Sequence, residues 1–258
     1  MATKEVDEAR ERQVLTEWSG LTNEVQRLCV DLDDRTSCWQ GLSSDPAGFS
    51  LILFKRAYGH VRAFSLLYNS KLYLDADACA RNAVESAICL ANLAARPDGF
   101  IADLRSDAAC TAKGQLPHWA LDDPEFAEEA TGDMRRIFGD RRSDGAKHQK
   151  LSMSVLAGGA GLTHLYTWYR HFSGIRVHVT GLSILANIVA VGDEDHEASV
   201  DAFRRLSRVH SLAAVGGASA ISCEAHAKLH GAKDLRERAA ELMRRMSALG
   251  PAEIFGDK

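Results

Sequence analysis

The spacing of hydrophobic residues predicts helices along almost the whole chain. Apolar side chains recur three and four positions apart over residues 4–34 and again over about 49–71, which is the period of an amphipathic helix. Sustained alternation of apolar and polar residues is missing, and residues 175–180, which come closest to it, form only a short stretch. The pattern therefore predicts an all-α protein, a single multi-helix bundle of about eight to ten helices in one domain, residues 1–258.

Glycine, proline and capping residues mark the breaks between the predicted helices. Residues 41–48 separate the first two helices, and Pro97 ends a third helix over 74–95. We interpret residues 114–124 as a loop, before a helix capped by Asp123. Further helices are predicted over 97–113, 125–138, 148–157, 162–172, 182–191, 196 into the 220s, and 234–249. In this scheme the first helix packs on a bundle core of about 49–225, and the helix over 234–249 closes the chain.

Composition and charge narrow the classes of function. The chain of 258 residues is 46% hydrophobic and 26% charged, as in ordinary globular proteins. Its formal net charge of −4 provides no overall field for a polyanion, so any nucleic acid must bind a local patch. The N-terminus has no apolar signal region, and the apolar run 182–191 is too short to span a membrane. We expect a cytoplasmic protein without membrane contacts.

The third predicted helix carries a line of charges on an otherwise apolar surface. Asp77, Arg81 and Glu85 follow one another at i, i+4 spacing, while apolar residues cover more than half of the circumference. A buried charge is costly unless it is paired. We call these three residues the polar seam. It is either a structural ion network, which is the commoner case, or the floor of a functional site.

A second polar group follows in the predicted helix over 162–172 and the turn after it. Tyr169 and Ser173 are four residues apart and share a helix face, and His178 follows at a turn. A histidine beside hydroxyl groups can act as a general base or can simply be a hydrogen-bonded core residue.

These two groups together resemble a known family. The pattern Asp75-Ala76, Arg81, Glu85, followed by Tyr-x-x-x-Ser and a nearby His, resembles an uncharacterised prokaryotic all-helical family, domain of unknown function 5677. The resemblance spans roughly residues 50–190, and four residues separate the Ser and the His where the family pattern has three. That family is similar to the HEPN helical bundles, some of which are metal-independent ribonucleases. The resemblance implies a polar pocket formed by Arg81, Glu85, Tyr169, Ser173 and His178.

The HEPN comparison adds a second set of candidate catalytic residues. Its ribonuclease signature is an Arg followed, after four to six residues, by a His on a helix. Arg205 and His210 fit, with Arg204 one residue earlier, and so do Arg142 and His148 across a glycine-containing linker. In such a site the His moves a proton and the Arg stabilises charge on the phosphorus oxygens.

A metal or cofactor is not expected. His226 and His230 are four residues apart beside Cys223 and Glu224, a spacing that could chelate an ion, but we interpret the segment as a solvated helix face. The six cysteines form no CxxC pair, and the chain has no nucleotide-binding glycine loop, GxSxG elbow or HExxH motif.

Two functions remain open. In the first the protein binds and cleaves RNA as a HEPN-like ribonuclease, in a toxin or defence system. In the alternative it is a non-enzymatic helical protein that binds a protein partner or another copy of itself, and its polar seam is structural. Arg81→Ala separates the two, since it would remove activity in the first and mainly lower stability in the second.

Overall fold

The protein is all-helical, as the hydrophobic pattern predicts. The structure is a computed structural model and describes residues 6–36, 45–139, 141–142, 145–178, 184, 188 and 194–249. These residues form nine α-helices and one π-helical turn, and no strand occurs among them. The helices are α1 Glu8–Thr36, α2 Pro46–Asn69, α3 Tyr73–Ala95, α4 Pro97–Asp122, α5 Pro124–Phe138, α6 Met153–Gly159, α7 Thr163–His171, α8 Glu194–Leu229 and α9 Lys233–Leu249. The π turn, Phe172–Val177, continues α7.

Helix α3 lies at the centre of the bundle. It packs most extensively against α2 and α8, and it also contacts α4, α6, α7 and the π turn. Small side chains on several faces allow this close approach. The buried apolar residues of α3 are Ala76, Ala80, Ala83, Val84, Ala87, Ile88, Cys89, Leu90 and Leu93. A polar side chain on α3 therefore meets a neighbouring helix on almost any side.

Helices α1, α8 and α9 form a second packed layer next to α2 and α3. Gly216 of α8 marks its tightest point, because a Cβ atom there would lie 3.0 Å from Thr22 Oγ1 and 3.2 Å from Met246 Cε. The next residue, Gly217, has nothing within 4 Å of such an atom. A side chain at 216 would therefore force Thr22 or Met246 to shift, so glycine favours the close packing of these helices.

A buried histidine joins α1, α2 and α8. His226 hydrogen-bonds through Nε2 to Thr36 Oγ1 at 2.8 Å and through Nδ1 to Ser50 Oγ at 2.6 Å, and its ring stacks on Phe54. Burial lowers the pKa of His226 to about 3. The interpretation of this segment as a solvated helix face is wrong, because Cys223 is buried as well. No group of side chains suited to a metal ion occurs in the part of the chain that the structure describes.

The largest difference from the predicted helices lies at residues 114–124. The prediction of a loop there is wrong, because α4 continues through Pro117 to Asp122. Proline leaves one helical hydrogen bond unmade, but packing of α4 against α5 outweighs that loss, with Trp119 contacting Phe126 at a ring-centroid distance of 5.6 Å. The predicted cap of the next helix is present, since Phe126 N donates to Asp123 Oδ1 at 3.0 Å.

Smaller differences concern the middle of the chain. The helix predicted over 148–157 begins only at Met153. Of the stretch 175–180, which comes closest to strand-like alternation, the residues up to Val177 belong to the π turn. The predicted apolar helix over 182–191 lies outside the described residues, apart from positions 184 and 188. None of the described helices combines the length and the apolar character that crossing a membrane requires.

Candidate functional site

The polar seam of α3 divides into two clusters with different partners. In the first, Arg81 Nε donates to Ser173 Oγ at 2.9 Å and Nη2 donates to Tyr169 Oη at 2.8 Å. Nη1 donates to Asn82 Oδ1 at 2.9 Å and lies 3.3 Å from Glu85 Oε2. We call this the Arg81 cluster. It fastens α3 to α7 and the π turn.

The Arg81 cluster uses most of the hydrogen-bonding capacity of its arginine. All three guanidinium nitrogens have partners, and the guanidinium carbon also lies 4.6 Å from the ring centroid of Tyr169. A side chain held this way orients its neighbours but has few donors left for a ligand.

His178 is separate from this cluster. Its side chain is exposed at the end of the π turn, and within the described residues the hydrogen bonds of Arg81 do not include it. The structure thus brings together Arg81, Glu85, Tyr169 and Ser173 but not His178.

The ribonuclease-like pairs do not converge either. Arg205 Nε donates to Glu11 Oε2 of α1 at 2.8 Å, whereas the ring of His210 packs edge-on against Trp168 of α7. Five positions on an α-helix rotate a side chain by about 140°, so the two residues face different neighbours. In the other pair, Arg142 Nη1 donates to Asp103 at 3.1 Å on α4.

The histidine of the second pair, His148, has different neighbours from Arg142. His148 Nε2 is 3.2 Å from the carbonyl oxygen of Gly139, and its Nδ1 is buried with no hydrogen-bond partner among the described residues. No described contact joins His148 to Arg142.

The second cluster of the seam is more deeply buried. Asp77 accepts a hydrogen bond from Ser211 Oγ of α8, and its Oδ2 lies 3.2 Å from Nε of Arg176 on the π turn. The side chains of Asp77 and Arg176 are only 3% and 6% exposed. We call this the Asp77 cluster. The sequence pattern placed Asp77 beside Arg81 and missed Arg176 altogether.

Burial controls the electrostatics of the Asp77 cluster. Loss of solvent raises the pKa of Asp77 to about 6, although the Ser211 hydroxyl and the Arg176 guanidinium both act to lower it. The same loss of solvent lowers the pKa of Arg176, although Asp77 acts to raise it. For both groups the cost of leaving water exceeds the attraction between them.

The Asp77 cluster forms the floor of a cavity. The cavity has a volume of about 470 Å³ and lies between the turn that joins α2 to α3 and the first half of α8. We call it the α3–α8 pocket. Its charged lining residues are Lys71, Asp75, Asp77, Arg176, Asp201, Arg204 and Arg208. Tyr68, Tyr73, Ser207 and Ser211 also line it.

Two arginines of this pocket have an unused donor. Nε of Arg208 is buried and has no hydrogen-bond partner among the described residues. Nε of Arg176 is within ion-pair distance of Asp77, but the N–H is not aligned for a hydrogen bond. The Arg208 guanidinium carbon also lies 5.3 Å from the ring centroid of Tyr73. Buried donors without a hydrogen-bond acceptor are rare, so both atoms stand out among the described residues.

Little in the sequence could have identified the pocket. Lys71, at its rim, adopts a left-handed backbone conformation with φ of 62°, which is uncommon outside glycine. The arginines of α8 are spaced four apart at 204 and 208, and this places both on one helix face. That spacing could have indicated a pair of arginines on one face of α8. The position of Arg176 beside them depends on the π turn.

The fold and site define an all-helical bundle protein with an arginine-lined pocket beside its central helix. Over residues 49–197, more than half of the chain, the sequence matches the model of a family of unknown function, DUF5677. The chain belongs to this family. No curated protein and no solved structure matches the chain. The match begins in α2 and includes the Arg81 cluster together with Asp77 and Arg176, but it ends before Arg204, Arg208 and Ser211.

Proposed function

We propose that the α3–α8 pocket binds a small anionic ligand that carries a phosphate group. The carrying observation is that Arg176 and Arg208 both line this cavity and that each has a buried Nε without a hydrogen-bond partner among the described residues. An unsatisfied buried donor costs free energy, and a phosphate oxygen would supply the acceptor. The planar guanidinium fork also matches phosphate better than an ammonium group does.

Charge and size support the same ligand class. Lys71 and Arg204 add positive charge near the rim, opposed by Asp75, Asp77 and Asp201. Because the pKa of Asp77 is raised to about 6, its protonation in mildly acidic solution leaves the pocket more positive. A volume of about 470 Å³ falls within the usual range of small-molecule sites, roughly 300–1,000 Å³, and suits a mononucleotide.

In the finer form of this proposal the ligand is an RNA phosphodiester and the protein is a ribonuclease, as the HEPN resemblance implies. Asp77 would accept the proton of a 2′-hydroxyl, whose oxygen forms a bond to phosphorus as the bond to the 5′-oxygen breaks. The leaving oxygen takes a proton from water, and Arg208 stabilises the charge on the phosphorus oxygens. Asp77 and Arg208 thus replace His210 and Arg205 in these roles.

The alternative is a non-enzymatic interaction protein, and the Arg81 cluster favours it. Arg81 uses most of its donors on Ser173, Tyr169, Asn82 and Glu85, as expected of a structural network. A protein partner or a second copy would then bind elsewhere on the surface.

Isothermal titration calorimetry with pyrophosphate and with AMP tests the ligand class. We expect binding by the native protein, and Arg208→Met should weaken it at least about tenfold, since a hydrogen bond to a charged group contributes about 1.5–3 kcal/mol. The matched control is Arg244→Met, a largely exposed arginine on α9 that does not line the pocket. No binding at about 1 mM, or equal binding by the two variants, would reject the proposal.

A cleavage assay tests the finer form. Fluorescent RNA and DNA oligonucleotides of the same sequence are incubated with the native protein and with Asp77→Asn. Cleavage of RNA alone, lost in the variant, supports the ribonuclease. Binding of AMP without cleavage rejects the ribonuclease and leaves the ligand-binding function in place.

A further inference from the structure

A basic groove lies on the α4–α5 hairpin, away from the polar seam of α3. It has a volume of about 610 Å³ and is bounded by α4, α5 and the segment that follows α5. We call it the α4–α5 groove. Its charged lining residues are Lys113, Arg135, Arg141, Lys147 and His148. None of the described residues that line it is acidic. In a chain of net charge −4, this concentration of cations is local.

The hairpin that carries the groove is exposed on its outer side. Among the described elements, α5 packs only against α4, and Ala127 is its one buried residue. Side chains that usually lie inside proteins remain in solvent, with Ile137 66% and Leu121 83% exposed. The groove is therefore accessible from solution.

An aromatic pair stands near the groove. Trp119 is three residues beyond the groove-lining Leu116, about one turn further along the same face of α4. Its ring contacts that of Phe126, which is 50% exposed. Trp119 itself is half-buried. Accessible aromatic rings beside a track of cations are the two components that bind single-stranded nucleic acids.

One polar atom of the groove lacks a partner. His148 Nε2 is within hydrogen-bond distance of the Gly139 carbonyl, so Nε2 carries the hydrogen and Nδ1 holds a lone pair in the neutral ring. Nδ1 is buried without a hydrogen-bond partner among the described residues.

We propose that the α4–α5 groove binds the backbone of a single-stranded nucleic acid, with bases stacking on Trp119 and Phe126. This site is distinct from the α3–α8 pocket and does not depend on its function. The four Lys and Arg side chains can each neutralise one phosphate, and an acidic peptide would use the cations but not the stacking surface.

Fluorescence anisotropy with a labelled oligouridine of about 20 nucleotides tests the proposal. Four phosphate contacts on a single strand predict a slope of log K against log salt near −3, so affinity should fall about 50-fold from about 50 to 200 mM salt. Arg135→Ala should weaken binding and reduce the slope by about 0.7. Trp119→Ala should weaken binding about tenfold without changing the slope.

The chain provides a matched control on the same helix. Arg136 follows Arg135 directly, is 76% exposed, pairs with Asp133 and does not line the groove, so Arg136→Ala should bind as the native protein does. Arg244→Met, at a largely exposed arginine on α9 that lines neither cavity, should also bind as the native protein does. Circular dichroism melting verifies that each variant is folded.

Three results would overturn the proposal. They are equal losses in Arg135→Ala and Arg136→Ala, equal competition by polyglutamate and by unlabelled oligouridine, and native-like binding by Arg135→Ala when folded Arg208→Met has lost binding. The second result assigns the groove to an acidic protein partner, and the third assigns the nucleic acid to the α3–α8 pocket.

Discussion

The buried Asp77 carboxyl should make folding stability fall as pH rises through the mildly acidic range. The pKa of Asp77 is raised from 3.8 to about 6 in the folded protein, mainly by burial. Between these two values the folded state binds the proton more tightly than the unfolded chain does. The contribution of Asp77 to stability is therefore fully present below about pH 4 and is lost as pH rises to about 6.

The size of this effect follows from the same shift. A change of about two pKa units corresponds to about 3 kcal/mol, at 1.36 kcal/mol per unit. The Asp77→Asn variant mimics the protonated carboxyl and cannot ionise. We expect it to match the native protein near pH 4 and to be more stable by about 3 kcal/mol near pH 7.

Urea unfolding of both proteins across this pH range measures the difference. Other carboxyl groups titrate in both proteins, so the difference between the two profiles isolates Asp77. The control is Asp75→Asn, a neighbouring carboxylate that is exposed, which should give a profile parallel to that of the native protein. The reasoning is refuted if Asp77→Asn is less stable at pH 7, because attraction to Arg176 would then exceed the cost of burying the pair.

Two further predictions concern packing and the Arg81 cluster, both measured by urea unfolding. Gly216→Ala should lower the free energy of unfolding by about 1–3 kcal/mol, because the added Cβ meets side chains of α1 and α9. Gly217→Ala should raise it by up to about 1 kcal/mol, because the space there is open. Equal effects of the two substitutions would contradict the packing at residue 216. Arg81→Ala should lower the free energy of unfolding by about 3 kcal/mol. Tyr169→Phe should lower it clearly less in the Arg81→Ala variant than in the native protein, because the hydrogen bond between the two residues is already lost. Strict additivity would show that the Arg81–Tyr169 hydrogen bond is not formed.

Local signals in the sequence were enough to predict most of the fold. The cap at Asp123 and the break at Pro97 were readable because a capping side chain and a proline act on their immediate neighbours. Residues 114–124 were misread because the loop prediction relied on Gly114 and Pro117, whereas the helix there is held by contacts to α5. Long-range packing of that kind leaves no trace in a short window of sequence.

The site was predictable in one part only. Helical spacing placed Tyr169 and Ser173 on one face, and a seam of charges required partners, so their contact with Arg81 could be anticipated. The pairing of Asp77 with Arg176 could not, because it depends on a π turn that a period of 3.6 residues does not describe.

The π turn makes the contacts of α3 depend on chain length. Its hydrogen-bonded ring holds one residue more than a turn of α-helix. The turn can thus absorb a single inserted residue without unwinding α7. Removing that residue would rotate every later side chain by about 100° and turn Arg176 away from Asp77. A change of one residue in the length of this turn would therefore alter which side chains contact α3, even though none of those side chains is substituted.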